Sequence, residues 1–141
     1  MKYFFDTSVL VSVALMGHPD HGPSLAAYLK ANTRNACCAA HSLAEVYATV
    51  TRLPGDQRMS ADDALLFLDD VRSRLAVVAL EAQGYHSALA AAAAANIVGG
   101  TIYDMLLAQC ALQAKAEIFY TWDVADFSRL GPQIAKRVHT P

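Results

Sequence analysis

Two short apolar stretches, far apart in the chain, are each followed by an aspartate. Residues 1–5 carry Tyr3, Phe4 and Phe5 and stop at Asp6; residues 117–121 carry Ile118, Phe119 and Tyr120 and run on to Asp123. Runs this short, aromatic and apolar read as buried strands, and such strands belong to parallel sheets covered by helices. The chain between them alternates in the same way. Ser8 is expected to cap a helix carrying Val9, Leu10, Val13 and Leu15 that stops near Gly17. A turn over residues 18–22 places Pro23 at a first helical position, with the helix continuing to Lys30. Residues 35–40 make a second strand, and His41 or Ser42 opens a helix that Pro54-Gly55-Asp56 breaks. Ser60 and Asp63 resemble a capping pair ahead of Leu65, Leu66, Leu68 and Val71. A strand at 77–80 follows, then an alanine-rich helix at 85–96 closed by Gly99-Gly100 and a helix at 102–116. After the strand at 117–121 come an acidic turn at 123–127 and an edge strand at 134–138. Strands alternating with helices predict an α/β fold with a mainly parallel sheet.

Composition sets the limits. The 141 residues suit one domain, 1–141, with no internal repeat and no linker. Lys and Arg number 11 against 13 Asp and Glu, a net charge of −2, which argues against coating duplex DNA by charge alone. The alanine-rich run at 88–95 is far too short to span a membrane. An acid as early as Asp6 is unlike a signal peptide. Three cysteines, two of them adjacent, suit a reducing compartment better than a disulfide framework. A cytoplasmic protein is expected.

The informative residues are acids in apolar company. Asp6 follows Tyr3-Phe4-Phe5; Glu45 lies within Leu43-Ala44-Glu45-Val46-Tyr47. Asp104 lies within Ile102-Tyr103-Asp104-Met105-Leu106, and Asp123 follows Phe119-Tyr120-Thr121-Trp122. Burying an ionised carboxylate costs several kcal/mol unless it is paired, and no Lys or Arg stands beside these four in sequence. Each is open to a plain reading: Asp6 as a helix cap, Glu45 as a boundary residue, Asp104 as a first-turn acid favoured by the helix dipole, Asp123 and Asp126 as an Asx-turn. Together they suggest convergence on a cation. Sites in open α/β sheets form beyond the carboxyl ends of strands, where Asp6 and Asp123 fall. A carboxylate cluster is the ligand set of Mg2+ or Mn2+, and such a site can activate water and clamp a phosphodiester.

The chain resembles PIN-domain ribonucleases, and more narrowly the VapC-type toxins of bacterial toxin–antitoxin pairs. The likeness rests on Asp6-Thr7-Ser8, Leu43-Ala44-Glu45-Val46, Tyr103-Asp104 followed by Leu106-Leu107-Ala108, and Thr121-Trp122-Asp123-Val124-Ala125-Asp126-Phe127. The resemblance implies a three-layer α/β/α sandwich. It implies metal-dependent endoribonuclease activity, with Asp6, Glu45, Asp104 and Asp123 catalytic and holding Mg2+ or Mn2+. Thr7, Ser8, Thr121 and Asp126 would support them. Arg52 and Arg58, with Arg34 and Lys2, are candidate contacts to substrate phosphates. His41 and His86 are read as structural or surface residues. The implied partners are an RNA substrate, with tRNA or rRNA suggested, a small cognate antitoxin and a second copy in a homodimer. Helices from Pro23 to Lys30 and from Ser60 to Arg72 are expected to frame a groove for an amphipathic partner helix.

Other readings stay in view. An aspartate-phosphorylating phosphatase would want Asp-x-Asp where Ser8 stands, and a receiver domain a lysine at the end of a late strand, whereas Lys115 precedes one. A PIN nuclease of RNA processing, or a PIN module that binds without cutting, would share these motifs.

Overall fold

The computed structural model describes all 141 residues. Five strands form one sheet: β1 (Tyr3–Phe5), β2 (Ala36–Ala39), β3 (Ala76–Val78), β4 (Ile118–Tyr120) and β5 (Val138–His139). Their spatial order is β3-β2-β1-β4-β5 and every pair is parallel. Eight α-helices accompany them: α1 (Thr7–Ala14), α2 (His21–Lys30), α3 (Ala40–Thr51), α4 (Ala61–Arg74), α5 (Ala82–Ala94), α6 (Ile102–Gln113), α7 (Val124–Ser128) and α8 (Pro132–Ala135).

Period-two alternation in the strands divides the core into two layers. Phe5, Ala36 and Cys38 face one way, against α1 to α4, with Leu10, Tyr28, Val46, Leu68 and Val71. Phe4, Cys37, Ala39 and Phe119 face the other, against α6 to α8, with Leu107, Ala111, Phe127 and Ile134. Helix α5 packs on α6. The result is the expected three-layer α/β/α sandwich. The alternation also settles the cysteines: adjacent Cys37 and Cys38 point to opposite faces, and all three thiols are free and buried.

Several boundaries differ from expectation for local reasons. Asp6, not Ser8, caps α1, its Oδ2 accepting from Ser8 N at 3.4 Å. Helix α2 opens at His21 with Pro23 its third residue, still in the first turn where a missing N–H costs nothing. Strand β2 runs into α3 with no connecting residue, so that helix opens at Ala40, before His41. The third strand is Ala76–Val78, at the start of the expected stretch. Residues 123–127 are not a bare turn: Asp123 precedes α7 and residues 124–127 belong to it, while Ile134 belongs to α8, leaving only Val138–His139 as the edge strand. The Ser60 cap forms as expected, with Asp63 N donating to Ser60 Oγ at 3.1 Å.

The strand order fixes where a site can be. From β1 the chain winds outward through β2 to β3, then returns to lay β4 and β5 on the other side of β1. The order therefore reverses between β1 and β4. Connections leave the carboxyl ends of those two strands in opposite directions, opening a crevice between them. Asp6 directly follows β1, and Asp123 follows β4 by three residues.

Candidate active site

Four elements deliver four acids to this crevice. Asp6 ends β1, Glu45 projects from the second turn of α3, Asp104 lies in the first turn of α6, and Asp123 precedes α7. All four line one cleft of about 440 Å³, with Thr7, Ser8, Ser12, Thr49, His18, Asp20 and Trp122 around them and Val11, Leu107 and Phe127 as its aliphatic and phenyl part. No Lys or Arg lines the cleft, and none of the four acids takes part in an ion pair.

Asp6 is the most constrained. It is only 2 % exposed. Its Oδ2 accepts from Ser8 Oγ at 2.8 Å, from Thr121 Oγ1 at 2.8 Å and from Ser8 N. The donors are themselves held: Trp122 N donates to Ser8 Oγ at 3.0 Å and Asp123 N to Thr121 Oγ1 at 2.9 Å. The segment after β4 is thus tied to the segment after β1. On the other side, Thr7 Oγ1 donates to Glu45 Oε1 at 2.9 Å and lies 3.0 Å from Ser42 Oγ. Thr7, Ser8 and Thr121, expected to support the acids, all touch one.

Electrostatic demand follows from this geometry. Burial pushes the Asp6 carboxyl up to about 6; Ser8 and Thr121 pull it back in part, and Asp123 adds to the rise. Asp104 also rises to about 6, from burial and then from Glu45, Asp126 and Asp123. Asp123 is raised by burial and by Asp126. Raised acids gathered together with no compensating base mark a place where positive charge is wanted.

A hard divalent cation fits this donor set: oxygen ligands from Asp6, Glu45, Asp104 and Asp123, which share one cleft. The fit lies in donor chemistry and shared placement, because no three acidic, His or Cys side chains stand gathered into a ligating cluster.

The remaining expected residues lie elsewhere. Asp126 pairs with Arg129 at 3.5 Å and lines an adjoining hollow that it shares with Asp104. Arg52 caps the end of α3, and Arg58 donates from Nε to Leu53 O at 2.8 Å; neither lines the cleft. Arg58 instead lines a separate hollow of about 540 Å³ between residues 14–19 and 56–59. Helices α2 and α4, expected to frame a groove, meet directly: Tyr28 Oη donates to Asp70 Oδ2 at 2.6 Å. The open hollow lies at the N-terminal end of α4, with Asp63 in its wall, and no residue of α2 lines it. Sequence reasoning passed over Ser42, Thr49 and the link from Trp122 Nε1 to the buried Ser24 Oγ at 2.9 Å. None has a spacing signal; only the position of Trp122 between Thr121 and Asp123 pointed toward the site.

A PIN-domain profile matches residues 3–131. The chain belongs to the PIN-domain family. It is 32% identical over 113 residues to ribonuclease VapC27 of Mycobacterium tuberculosis, a match covering 80% of this chain and 79% of that one. Among solved structures, VapC20 of Mycobacterium tuberculosis, described as a toxin that cleaves the sarcin-ricin loop, superposes with a TM-score of 0.72 at 15% identity, covering 89% of this chain and 92% of the other. VapBC2 of Rickettsia felis, bound to a promoter DNA fragment, gives 0.68 at 20% identity, covering 99% and 98%. These two superpositions bear out the fold, and the curated relative places this PIN domain with the VapC type.

Proposed function

We propose that this PIN domain is a metal-dependent endoribonuclease, the toxin of a type II toxin–antitoxin pair. The observation that carries the reading is the single cleft into which four elements bring Asp6, Glu45, Asp104 and Asp123 without a cation. Mg2+ or Mn2+, when bound, would supply an activated water and neutralise charge developing on a phosphodiester. The four carboxylates would hold the ion. Ser8 and Thr121 would fix Asp6 at the cleft, and Thr7 would fix Glu45. Asp126 would add negative potential beside Asp104 and Asp123. Arg52 and Arg58 would meet only RNA that extends beyond the cleft.

Kinship with a named ribonuclease of the VapC type supports RNA as the substrate, and a structured or looped tRNA or rRNA is the class to test first. An antitoxin is the natural partner of such a chain. Exposed Met16, Leu29, Leu65 and Leu66 give an amphipathic helix apolar ground around α2 and α4. The buried free cysteines suit a reducing cytoplasm, and no helix is long and apolar enough to cross a membrane. The resemblance further carries a homodimer, which sedimentation would check.

The deciding experiment is incubation with total RNA and Mg2+ or Mn2+, mapping the new ends. Discrete cuts that vanish with chelator, and in both Asp6→Asn and Asp104→Asn, support the reading. Equal cutting by both variants overturns it.

A further inference from the structure

Neither His41 nor Tyr103 lines the acid cleft, yet helical spacing places both near it. Each is the second residue of its helix, α3 and α6. Their rings are parallel within 5°, with centroids 5.7 Å apart. At that separation parallel rings are offset, which leaves part of each face open. Tyr103 is 52 % exposed, while Phe4, Phe5, Phe119 and Phe127 are almost wholly buried.

Helical spacing ties the pair to the cleft. His41 precedes Glu45 by four residues, on the same face of α3. Tyr103 adjoins Asp104 and precedes Leu107 by four. Glu45, Asp104 and Leu107 all line the acid cleft. The stack therefore stands within one helical turn of the acids, and His41 also lines a small hollow with Ala40, Val78, Leu80, Tyr85 and Leu106. At about 70 Å³ that hollow is too small for a base, so a ligand would lie on the open ring face.

A nucleic acid entering this cleft meets strong negative charge and no Lys or Arg. It needs a grip that adds no charge to be repelled, and a flat aromatic face provides one for an uncharged base. We propose that the His41–Tyr103 stack is a platform for one unpaired RNA base beside the phosphodiester to be cut. This rests on the ribonuclease reading. The platform positions RNA through any base, because stacking does not read base edges; both residues are positioning residues.

The test scans a short single-stranded RNA spanning the mapped cut, with an abasic nucleotide placed at each position in turn. With wild type, one flanking position should raise KM about tenfold with little change in kcat. Tyr103→Ala should raise KM on intact RNA by a similar factor and lose all further sensitivity at that position. Tyr103→Phe, which keeps the ring, should behave as wild type, and His41→Ala should fall between. Unchanged melting temperatures would exclude misfolding. The same RNA set is also bound, in Mg2+, to Asp6→Asn protein with and without Tyr103→Ala, read by fluorescence anisotropy. If wild type cuts no RNA, the ribonuclease reading fails, and the binding arm, run on a mixed-sequence single-stranded RNA with the same abasic scan, still decides the platform. Equal abasic sensitivity with and without the tyrosine ring overturns the platform and leaves the exposed ring to a protein partner.

Discussion

Helix α4 and the crevice beyond β1 both carry aspartates, and the molecule treats them in opposite ways. On α4, Asp69 stands 3.9 Å from Arg72 and Asp70 stands 3.8 Å from Arg74, partners three and four residues along the same helix. The Asp69–Arg72 pair is solvated and contributes little, and Asp70 also accepts from Tyr28 Oη, so both acids have a local partner. In the crevice, Asp6, Glu45, Asp104 and Asp123 come from four separate elements and meet no cation. The same functional group is a surface ornament where a local partner is built in. It becomes a site where tertiary structure gathers it and withholds one.

The contrast can be broken most forcefully by removing charge on each side. Asp6→Asn and Asp104→Asn should each lower RNA cleavage by at least about 100-fold, since even groups that only orient metal ligands cost about 10–100-fold when lost. Asp69→Asn should leave cleavage within about twofold, as an exposed pair contributes at most about 1 kcal/mol. Initial rates on one RNA substrate compare all three. A comparable loss in Asp69→Asn would erase the distinction.

Acid titration sharpens it. Asp6 is held at about 6, above the ordinary 3.8, so the folded protein keeps this proton more tightly than the unfolded chain. Stability should therefore fall as pH rises through that interval, with the full deficit in place above it. The Asp6 contribution is about 3 kcal/mol. Urea unfolding of metal-free protein at the two ends of the window, in wild type and Asp6→Asn, measures it. The variant should lose only part of the slope, because the Asp104 and Asp123 carboxyls are raised as well, and an identical slope in both would remove Asp6 as a source.

Supplying the missing cation is the next test. Thr49 lines the cleft one helical turn beyond Glu45, so Thr49→Arg would give the acids what α4 already has. Cleavage should drop about tenfold, in the range of close charge-pair effects, with the melting temperature held or raised. Undiminished cleavage would show that the acids do not respond to positive charge. Ion binding should also register on melting. Saturating Mg2+ should raise wild-type stability by about 2–3 kcal/mol at 100-fold excess over Kd, and hardly at all in the Asp6→Asn, Asp104→Asn double variant. Calorimetry in Mg2+ and in chelator reads both.

What the sequence made legible follows from this contrast. An acid inside an apolar run is conspicuous, so Asp6, Glu45, Asp104 and Asp123 could be picked out, and the structure does bring them to one cleft. Alternating strand and helix patterns were long enough to give the α/β class and its parallel sheet. The shortest elements left no such trace. Residues 132–139 hold a four-residue helix and a two-residue strand, too brief for either period to register. Where the arginines end up was equally hidden, because Arg58 is turned toward Leu53 O by a local turn and away from the cleft. Ser24 gave no hint of its link to the site, which exists only because α2 packs near the end of β4.

That link gives the chain a built-in lamp. Trp122 is the sole indole; its ring nitrogen is anchored on α2 and its backbone amide on the serine that grips Asp6. Its emission colour and brightness should therefore register, without any dye, whatever settles among the acids or pulls on the second helix.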